Sequence, residues 1–528
     1  MKSSGVPASN TMGEAPMTES QPVIPSPGAP LEPSRDAQIE HFDVLVVGAG
    51  LSGICAGYHL QTRCAAKSYA ILEARDAIGG TWDLFRYPGV RSDSDMHTMG
   101  YSFRPWGGEK AIANGPDILR YIRETAKEYG IDRRIRFGQQ VVRASWNSDE
   151  AEWSVDVEAG PEERPLRYRA NFVFMCSGYY DYDAGYLPDW PDLDRFGGRV
   201  VHPQKWPEDL GYAGKRVLII GSGATAVTLV PAMTERAAHV TMLQRSPSYV
   251  AALPAKDAMA NRLQRRLPAR LAHTIVRWKN VLYGMYIYRQ CKRRPEIIKQ
   301  RLINLVRREL GPDYDIETHF TPRYYPWDQR LCLVPDSDLF EAIRSGKASV
   351  ETDEIEAFTE TGVQLRSGKQ LDADIIVTAT GLRLKPLGGM QLTVDGAPVD
   401  PAKALTYKGM MFSDIPNLAS AFGYTNASWT LKAELTVKYV CRLLNYMDAH
   451  GYAWCVPRRN DPTIVEETAL PLTSGYVQRA KHIMPKQGSK RPWKLHQNYF
   501  KDLSLLQFGS VNDGTMEFRR TEPRSRAA

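Results

Sequence analysis

Two short stretches constrain this chain more than anything else in it. Residues 42–47, FDVLVV, run directly into Gly48, Gly50 and Gly53 at G-x-G-x-x-G spacing, with a helical pattern behind them. Residues 215–220, KRVLII, run into Gly221, Gly223 and Ala226 at G-x-G-x-x-A spacing, again before a helical pattern. A bare glycine motif is a weak signal. A strand before it and a helix after it supply the context that a dinucleotide-binding turn requires. The first glycine allows the tight turn, the second lets backbone approach a pyrophosphate, and the third position permits close helix–strand packing. The helix N-terminus then offers unpaired N–H groups and a positive dipole end to phosphates. The chain is therefore expected to be α/β, with two Rossmann-like dinucleotide-binding domains.

The strands that follow end differently, and this separates the two sites. Residues 69–72 lead to Glu73, an acid at the right distance to bind a ribose 2′-hydroxyl, so the first site suits FAD or NAD. Residues 239–243 lead instead to Gln244, Arg245 and Ser246. A guanidinium there favours a 2′-phosphate through charge-assisted hydrogen bonds; the alternative is a solvated surface arginine. On this contrast the first site is assigned to FAD and the second to NADPH. Ser222, Ala224, Thr225 and Ser246 are expected among the contacts of the second.

A chain of 528 residues exceeds one hydrophobic core, so two or three domains are expected. A net charge of +7 is mild for this length and argues against wholesale nucleic-acid binding. The seven cysteines show no C-x-x-C pair and no zinc spacing. That pattern implies reduced thiols in a cytoplasmic protein, with no metal centre, disulfide framework or dithiol redox centre. No apolar run approaches transmembrane length. Residues 1–40, rich in Pro, Ser, Gly and Ala, lack the basic start and apolar core of a secretory signal and read as a disordered tail. Residues 41–178 and 378–512 are assigned to the FAD-binding domain, and 179–250 and 328–377 to the NADP-binding domain. A helical insertion takes 251–327, and 513–528 reads as a fraying polar tail.

A helix is predicted over 117–129 and a β-meander from about 136 to 174, ending at Cys176, Ser177 and Gly178, where the chain crosses to its second domain. Cys176 reads as buried packing, because no histidine stands near it in sequence. From 256 to 310 the chain becomes helical, dense in Arg and Lys and poor in acids. Two readings stay open there. One is an insertion folded onto the nucleotide domain with a solvated basic face. The other is a membrane-surface helix, basic on one side and aromatic on the other, giving peripheral membrane contact.

Gly79, Gly80, Thr81 and Trp82, then Arg86, Tyr87, Pro88 and Gly89, and finally Asp93, describe a fixed irregular loop rather than a helix. Between the glycine motifs lies FGGRVVHPQKW, in which Phe196, Gly198, His202 and Trp206 stand at F-x-G-x-x-x-H-x-x-x-W. This stretch resembles the fingerprint of type I Baeyer–Villiger monooxygenases, which are class B flavoprotein monooxygenases. The loop resembles a second motif of that family, [A/G]-G-x-W-x-x-x-x-[F/Y]-P-[G/M]-x-x-x-D, at every fixed position. Residues 374–381, ending in Ala-Thr-Gly, resemble the motif that closes the nucleotide domain in flavin oxidoreductases, and 418–430 look like the last flavin-domain strand and a helix start. The resemblance covers about residues 42–430 and points to the subgroup that activates thioamide prodrugs.

The resemblance implies that Thr81, Trp82, Asp93 and Tyr101 contact FAD. It implies that Arg330 stabilises a C4a-peroxyflavin with Asp93 beside it; Arg323 is the alternative, and a structural salt bridge is the bland reading of Arg330. Phe196, Gly198, His202 and Trp206 would orient the domains. The implied reaction uses NADPH and O2 to insert oxygen next to a ketone carbonyl, giving an ester or lactone, with sulfoxidation as a further activity on a small-molecule sulfide. One alternative is a flavin-containing N- or S-hydroxylating monooxygenase, which carries Tyr, Phe or Lys where this chain has Trp206. Another is a sensor that binds both nucleotides without turnover. The purified protein is expected to be yellow and to oxidise NADPH at least about tenfold better than NADH in kcat/KM. Equal use of the two would remove Arg245 from 2′-phosphate recognition.

Overall fold

The computed structural model describes residues 39–520, so the expected tail at 1–38 lies outside the described residues. Strand Glu40–Val47 pairs in parallel with Tyr69–Leu72 on one side and Arg164–Met175 on the other. Its apolar run is continuous because both faces are covered. Val44 and Val46 face a core built with helices Leu51–Arg63 and Trp429–His450. Leu45 and Val47, one residue out of phase, face a second core under the antiparallel strands Gln139–Asn147, Glu152–Ala159 and Arg164–Met175. The predicted helix at 117–129 is Gly115–Glu128, started by the Asn114 side chain accepting from the Asp117 N–H at 2.9 Å.

The second sheet has five strands, all parallel, in the order Ala348–Thr352, His239–Gln244, Arg216–Ile220, Ile375–Thr378, Arg199–Val201. The last of these is the middle of FGGRVVHPQKW, so that stretch supplies an edge strand as well as a connection. The chain passes between the sheets twice, and the two passages pair: Tyr180–Gly185 is antiparallel to Leu382–Leu384.

The inserted region folds as helices Ala258–Arg266, Ala269–Arg293, Pro295–Leu310 and Ile316–Phe320. Asp257 caps the first by accepting from the Ala260 N–H, and Pro268 and Pro295 mark the starts of the second and third. The insertion does not rest on the nucleotide domain alone. Ile303 and Val306 enter the core of the second sheet, whereas Ala269–Arg293 lies against the short helix Met96–Met99. Its Arg277 is buried and donates to the carbonyls of His97, Thr98 and Gly100 at 3.0, 3.2 and 2.8 Å. The same guanidinium reaches Glu434 at 3.4 Å. Burial alone would raise the Glu434 carboxyl, but His59, Lys438 and Arg277 around it hold it well below the usual carboxylate range.

Two expectations need correction. Residues 513–520 do not fray: Met516–Arg519 pairs antiparallel with Trp454–Pro457, Met516 is buried, and Asp513 accepts from the Tyr407 hydroxyl at 2.7 Å. The polar composition hid a strand whose alternate residues, Met516 and Phe518, pack on the core; residues 521–528 lie outside the described residues. Strand Glu40–Val47 also begins one residue inside the expected tail, with Glu40 paired to Arg136 at 2.7 Å. Among the described residues no helix is long and apolar enough to cross a membrane, and all seven cysteines are free and buried.

Arg277→Met should remove the donor to three carbonyls and leave Glu434 short of a cation, a loss of about 3–5 kcal/mol for a broken buried pair. Trypsin should then cut in the arginine-rich insertion before the rest of the chain. An unchanged melting temperature and cleavage pattern would show that the anchor carries no load.

Candidate active site

The first turn is shaped for close approach. Gly48 has φ +104°, and a Cβ there would lie 2.6 Å from the Cys176 carbonyl oxygen. Helix Leu51–Arg63 starts at Gly50 with no side-chain cap and no acid in its first turn, so its first N–H groups are open to an anion. Glu73 is buried at the end of its strand and accepts from the N–H of Ala49 at 2.7 Å and of Arg75 at 3.0 Å. A carboxylate has about four lone-pair positions, so acceptor capacity is left for ribose hydroxyls. These residues fit a dinucleotide.

The second turn repeats the arrangement. Gly221 has φ +139°, with the Ala379 carbonyl 2.3 Å from where a Cβ would stand. Helix Ala224–Met233 again begins at a glycine, Gly223, without a cap or an acid. The Ser222 hydroxyl donates to the Ser246 carbonyl at 3.0 Å and lies 2.9 Å from the Ser248 hydroxyl, which fixes the loop that carries Arg245. Arg245 is exposed and makes no ion pair among the described residues, so its guanidinium is available to a phosphate. Tyr87, from the loop after the first turn, is buried in the same core as Ala226 and Val227 of the second helix.

Both turns line one continuous cleft of about 1260 Å³, above the roughly 300–1,000 Å³ of an ordinary single-ligand pocket. Arg330 and Asp93 stand in it. Nη2 of Arg330 lies 3.1 Å from Oδ2 and 3.3 Å from Oδ1 of Asp93. Asp93 raises the guanidinium above its ordinary range, against the opposing effect of burial, so it stays charged at any working pH. A third of the Arg330 side chain is still exposed, toward the cleft. Arg323 is exposed and does not line the cleft, which separates the two candidates.

Aromatic rings wall this region. Tyr179 stacks on Trp429 with centroids 5.3 Å apart, and the indole N–H of Trp429 donates to Ser52 at 2.9 Å. The Tyr179 and Tyr180 hydroxyls are 3.0 Å apart. Burial pushes the phenols of Tyr179, Tyr180 and Tyr476 up, so they remain O–H donors. Tyr182 meets Thr81 at 3.1 Å, and Trp82 lines the cleft beside it. Asp83, fully buried, holds this loop through Arg75, Arg86 and Arg123. The sequence reading missed the tyrosines, Asp83 and Arg479, which lies 3.4 Å over the Tyr186 ring at the cleft wall. A signal existed for two of them: Tyr180 and Tyr182 are two apart in a strand and share a face.

Tyr101 is a correction. It is fully buried, stacked between Phe103 and Tyr121, and its hydroxyl donates to the Leu51 carbonyl at 2.9 Å. It braces the first nucleotide helix from behind and does not reach the cleft. The fingerprint residues lie at the junction of the sheets. Phe196 is buried, and a Cβ at Gly198 would meet its ring at 2.4 Å. His202 Nδ1 accepts from the Gln204 N–H at 3.2 Å, so the ring proton is on Nε2, which donates to the Gly381 carbonyl at 3.2 Å. Burial holds this imidazole below its usual pKa. Trp206 packs against the core of the second sheet.

Residues 43–283 match a family model described as flavin-binding monooxygenase-like. The chain is 52% identical over 482 residues to the FAD-containing monooxygenase EthA of Mycobacterium tuberculosis (strain ATCC 25618 / H37Rv), covering 91% of this chain and 98% of that one. It is 51% identical over 486 residues to the putative FAD-containing monooxygenase MymA of the same strain, at 91% and 98% coverage. A solved structure of an oxidised steroid monooxygenase bound to NADP shares the fold, with a TM-score of 0.73 at 22% identity, covering 91% of this chain and all of that one.

Arg330→Ala should leave flavin reduction by NADPH within about twofold and lower oxygenated product by roughly 10²–10³, the scale of one lost charge stabiliser. Arg330→Lys, which keeps the charge without the planar fork, should recover part of it. Undiminished product from Arg330→Ala would take the residue out of the chemistry.

Proposed function

Because this chain belongs to the FAD-containing flavin-binding monooxygenases, in the subgroup that activates thioamides, we propose that it transfers one oxygen atom of O2 to the sulfur or nitrogen of a small molecule. It is an enzyme, and NADPH is its reductant. The observation that carries this reading is 52% identity across 98% of the length of EthA. Two Rossmann-like domains would divide the cofactors, FAD at the turn of Gly48 and NADPH at the turn of Gly221. FAD, when bound, takes hydride from NADPH and activates O2.

The remaining work belongs to the chain. Gly48, Gly50 and the open end of helix Leu51–Arg63 receive one pyrophosphate, and Glu73 the ribose beside it. Gly221, Gly223 and helix Ala224–Met233 receive the other, with Arg245 on the 2′-phosphate. Arg330 holds negative charge where it develops on activated oxygen, and Asp93 sets its direction. Trp429, Tyr179 and Trp82 narrow the access of water. A sulfur or nitrogen lone pair attacks oxygen most readily when that oxygen is protonated or hydrogen-bonded. The phenols of Tyr179, Tyr180 and Tyr476 near Arg330 are O–H donors and not bases, which suits that role.

A second reading is Baeyer–Villiger insertion next to a ketone carbonyl. The Arg330–Asp93 pair and Trp206 at the end of the fingerprint favour it, because a fixed cation suits an anionic oxygen attacking a carbonyl. The two readings differ in product. On a panel of a thioamide, an aryl methyl sulfide, a tertiary amine and a cyclic ketone, S- and N-oxides should form with kcat/KM at least roughly tenfold above ester formation. Ester or lactone formed as fast as S-oxide would move the assignment to the second reading.

A further inference from the structure

The long insertion helix Ala269–Arg293 has an inner face that is fully occupied. Val276 is fully buried, Arg277 is buried in the contacts already described, and Val281 packs with Tyr424 and Leu431. Its outer face is not polar, as a solvated face would be. Leu271, Ile275, Trp278, Leu282 and Tyr286 recur at spacings of three or four, fall on one side, and are all exposed. Leu282 and Tyr286 are 52% and 58% exposed. The stripe widens at Trp278, whose ring stacks with exposed Phe500 at 5.7 Å. Further along the same side come Arg289 and Arg293, and Arg270 stands near the other end, all exposed.

Charge identifies the occupant. Residues 256–310 hold fifteen Lys and Arg against three Asp and Glu, a net of +12 in a chain whose total is +7. The insertion that carries this stripe therefore holds more net positive charge than the chain as a whole. A second copy of the chain would bring an equal positive surface against it in a self-complementary contact. A spanning role is closed to this helix, since no described helix is apolar enough to cross a bilayer. An apolar, aromatic-bearing stripe flanked by arginines is the arrangement that lies in the interface of a negatively charged bilayer.

We propose that the outer face of Ala269–Arg293 docks on an anionic phospholipid surface, with Leu271, Ile275, Trp278, Leu282 and Tyr286 in the headgroup region and the flanking arginines on lipid phosphates. The inner face of the same helix packs on Tyr424, which also forms part of the cleft wall. Docking therefore places this helix and Tyr424 between the cleft and the lipid, where apolar substrates concentrate. This proposal rests on exposure and charge and does not depend on which atom is oxygenated.

The test is co-sedimentation of the FAD-loaded enzyme with phosphatidylcholine vesicles, with or without phosphatidylglycerol. Two double variants are compared, Leu282→Asp with Tyr286→Asp, and Arg289→Glu with Arg293→Glu. These side chains are exposed and outside the cleft, so NADPH oxidation without vesicles should match the unaltered enzyme and report an intact fold. Binding should need the anionic lipid, weaken at high salt, and fall at least about tenfold in each variant. Equal binding to both vesicle types, or by the variants, would overturn the proposal. So would light scattering that shows a dimer, abolished by Leu282→Asp with Tyr286→Asp, in a protein that ignores vesicles.

Discussion

A helix that begins without a side-chain cap leaves backbone N–H groups with nothing to bond, and helices Leu51–Arg63 and Ala224–Met233 both begin this way, at Gly50 and at Gly223, facing one cleft. Most of what surrounds the cleft follows from holding those two ends in place. Each is fixed by a glycine turn that presses on a carbonyl of the neighbouring segment, Cys176 for the first and Ala379 for the second. Those two carbonyls belong to the points where the chain leaves one sheet for the other. Paired strands, Tyr180–Gly185 and Leu382–Leu384, start just beyond them. The anion sites and the crossing ribbon are thus one mechanical unit, with His202 bonding the Gly381 carbonyl from outside.

What could be read in the sequence was local. A strand, three small residues and a helix are specified within about twenty positions, so both turns, Glu73 and Arg245 were legible, and the helix at 117–129 was off by one or two residues at each end. The pairing of Asp93 with Arg330 spans 237 positions, and no spacing rule could supply it; the family resemblance did. Three things stayed hidden because they depend on distant partners. Tyr101 has the composition of a ligand contact, but Leu51, Phe103 and Tyr121 surround it and turn its hydroxyl inward. Met516–Arg519 looks like a polar tail until Trp454–Pro457 provides an edge for it. FGGRVVHPQKW looks like a loop until Ile375–Thr378 makes three of its residues a strand.

The insertion shows the same dependence on distant contacts. Its sequence is a run of basic helices, and nothing in that run says which residues turn inward. Arg277 differs from its basic neighbours only in what it meets: three carbonyls at the end of a short helical turn, and Glu434. Burying a guanidinium is costly unless its donors are used, and here they are. That one contact settles the rotation of a 25-residue helix, and hence which apolar side chains are left outside.

A protein that activates oxygen must also outlast it. Cys176 and Cys332 both line the cleft. Thiols are oxidised through the thiolate, and burial keeps both of these protonated, with Cys332 pushed up to about 12 and Cys176 higher still. All seven cysteines are free and buried. The packing that made them unremarkable as candidate nucleophiles therefore also keeps thiolate out of the cleft wall.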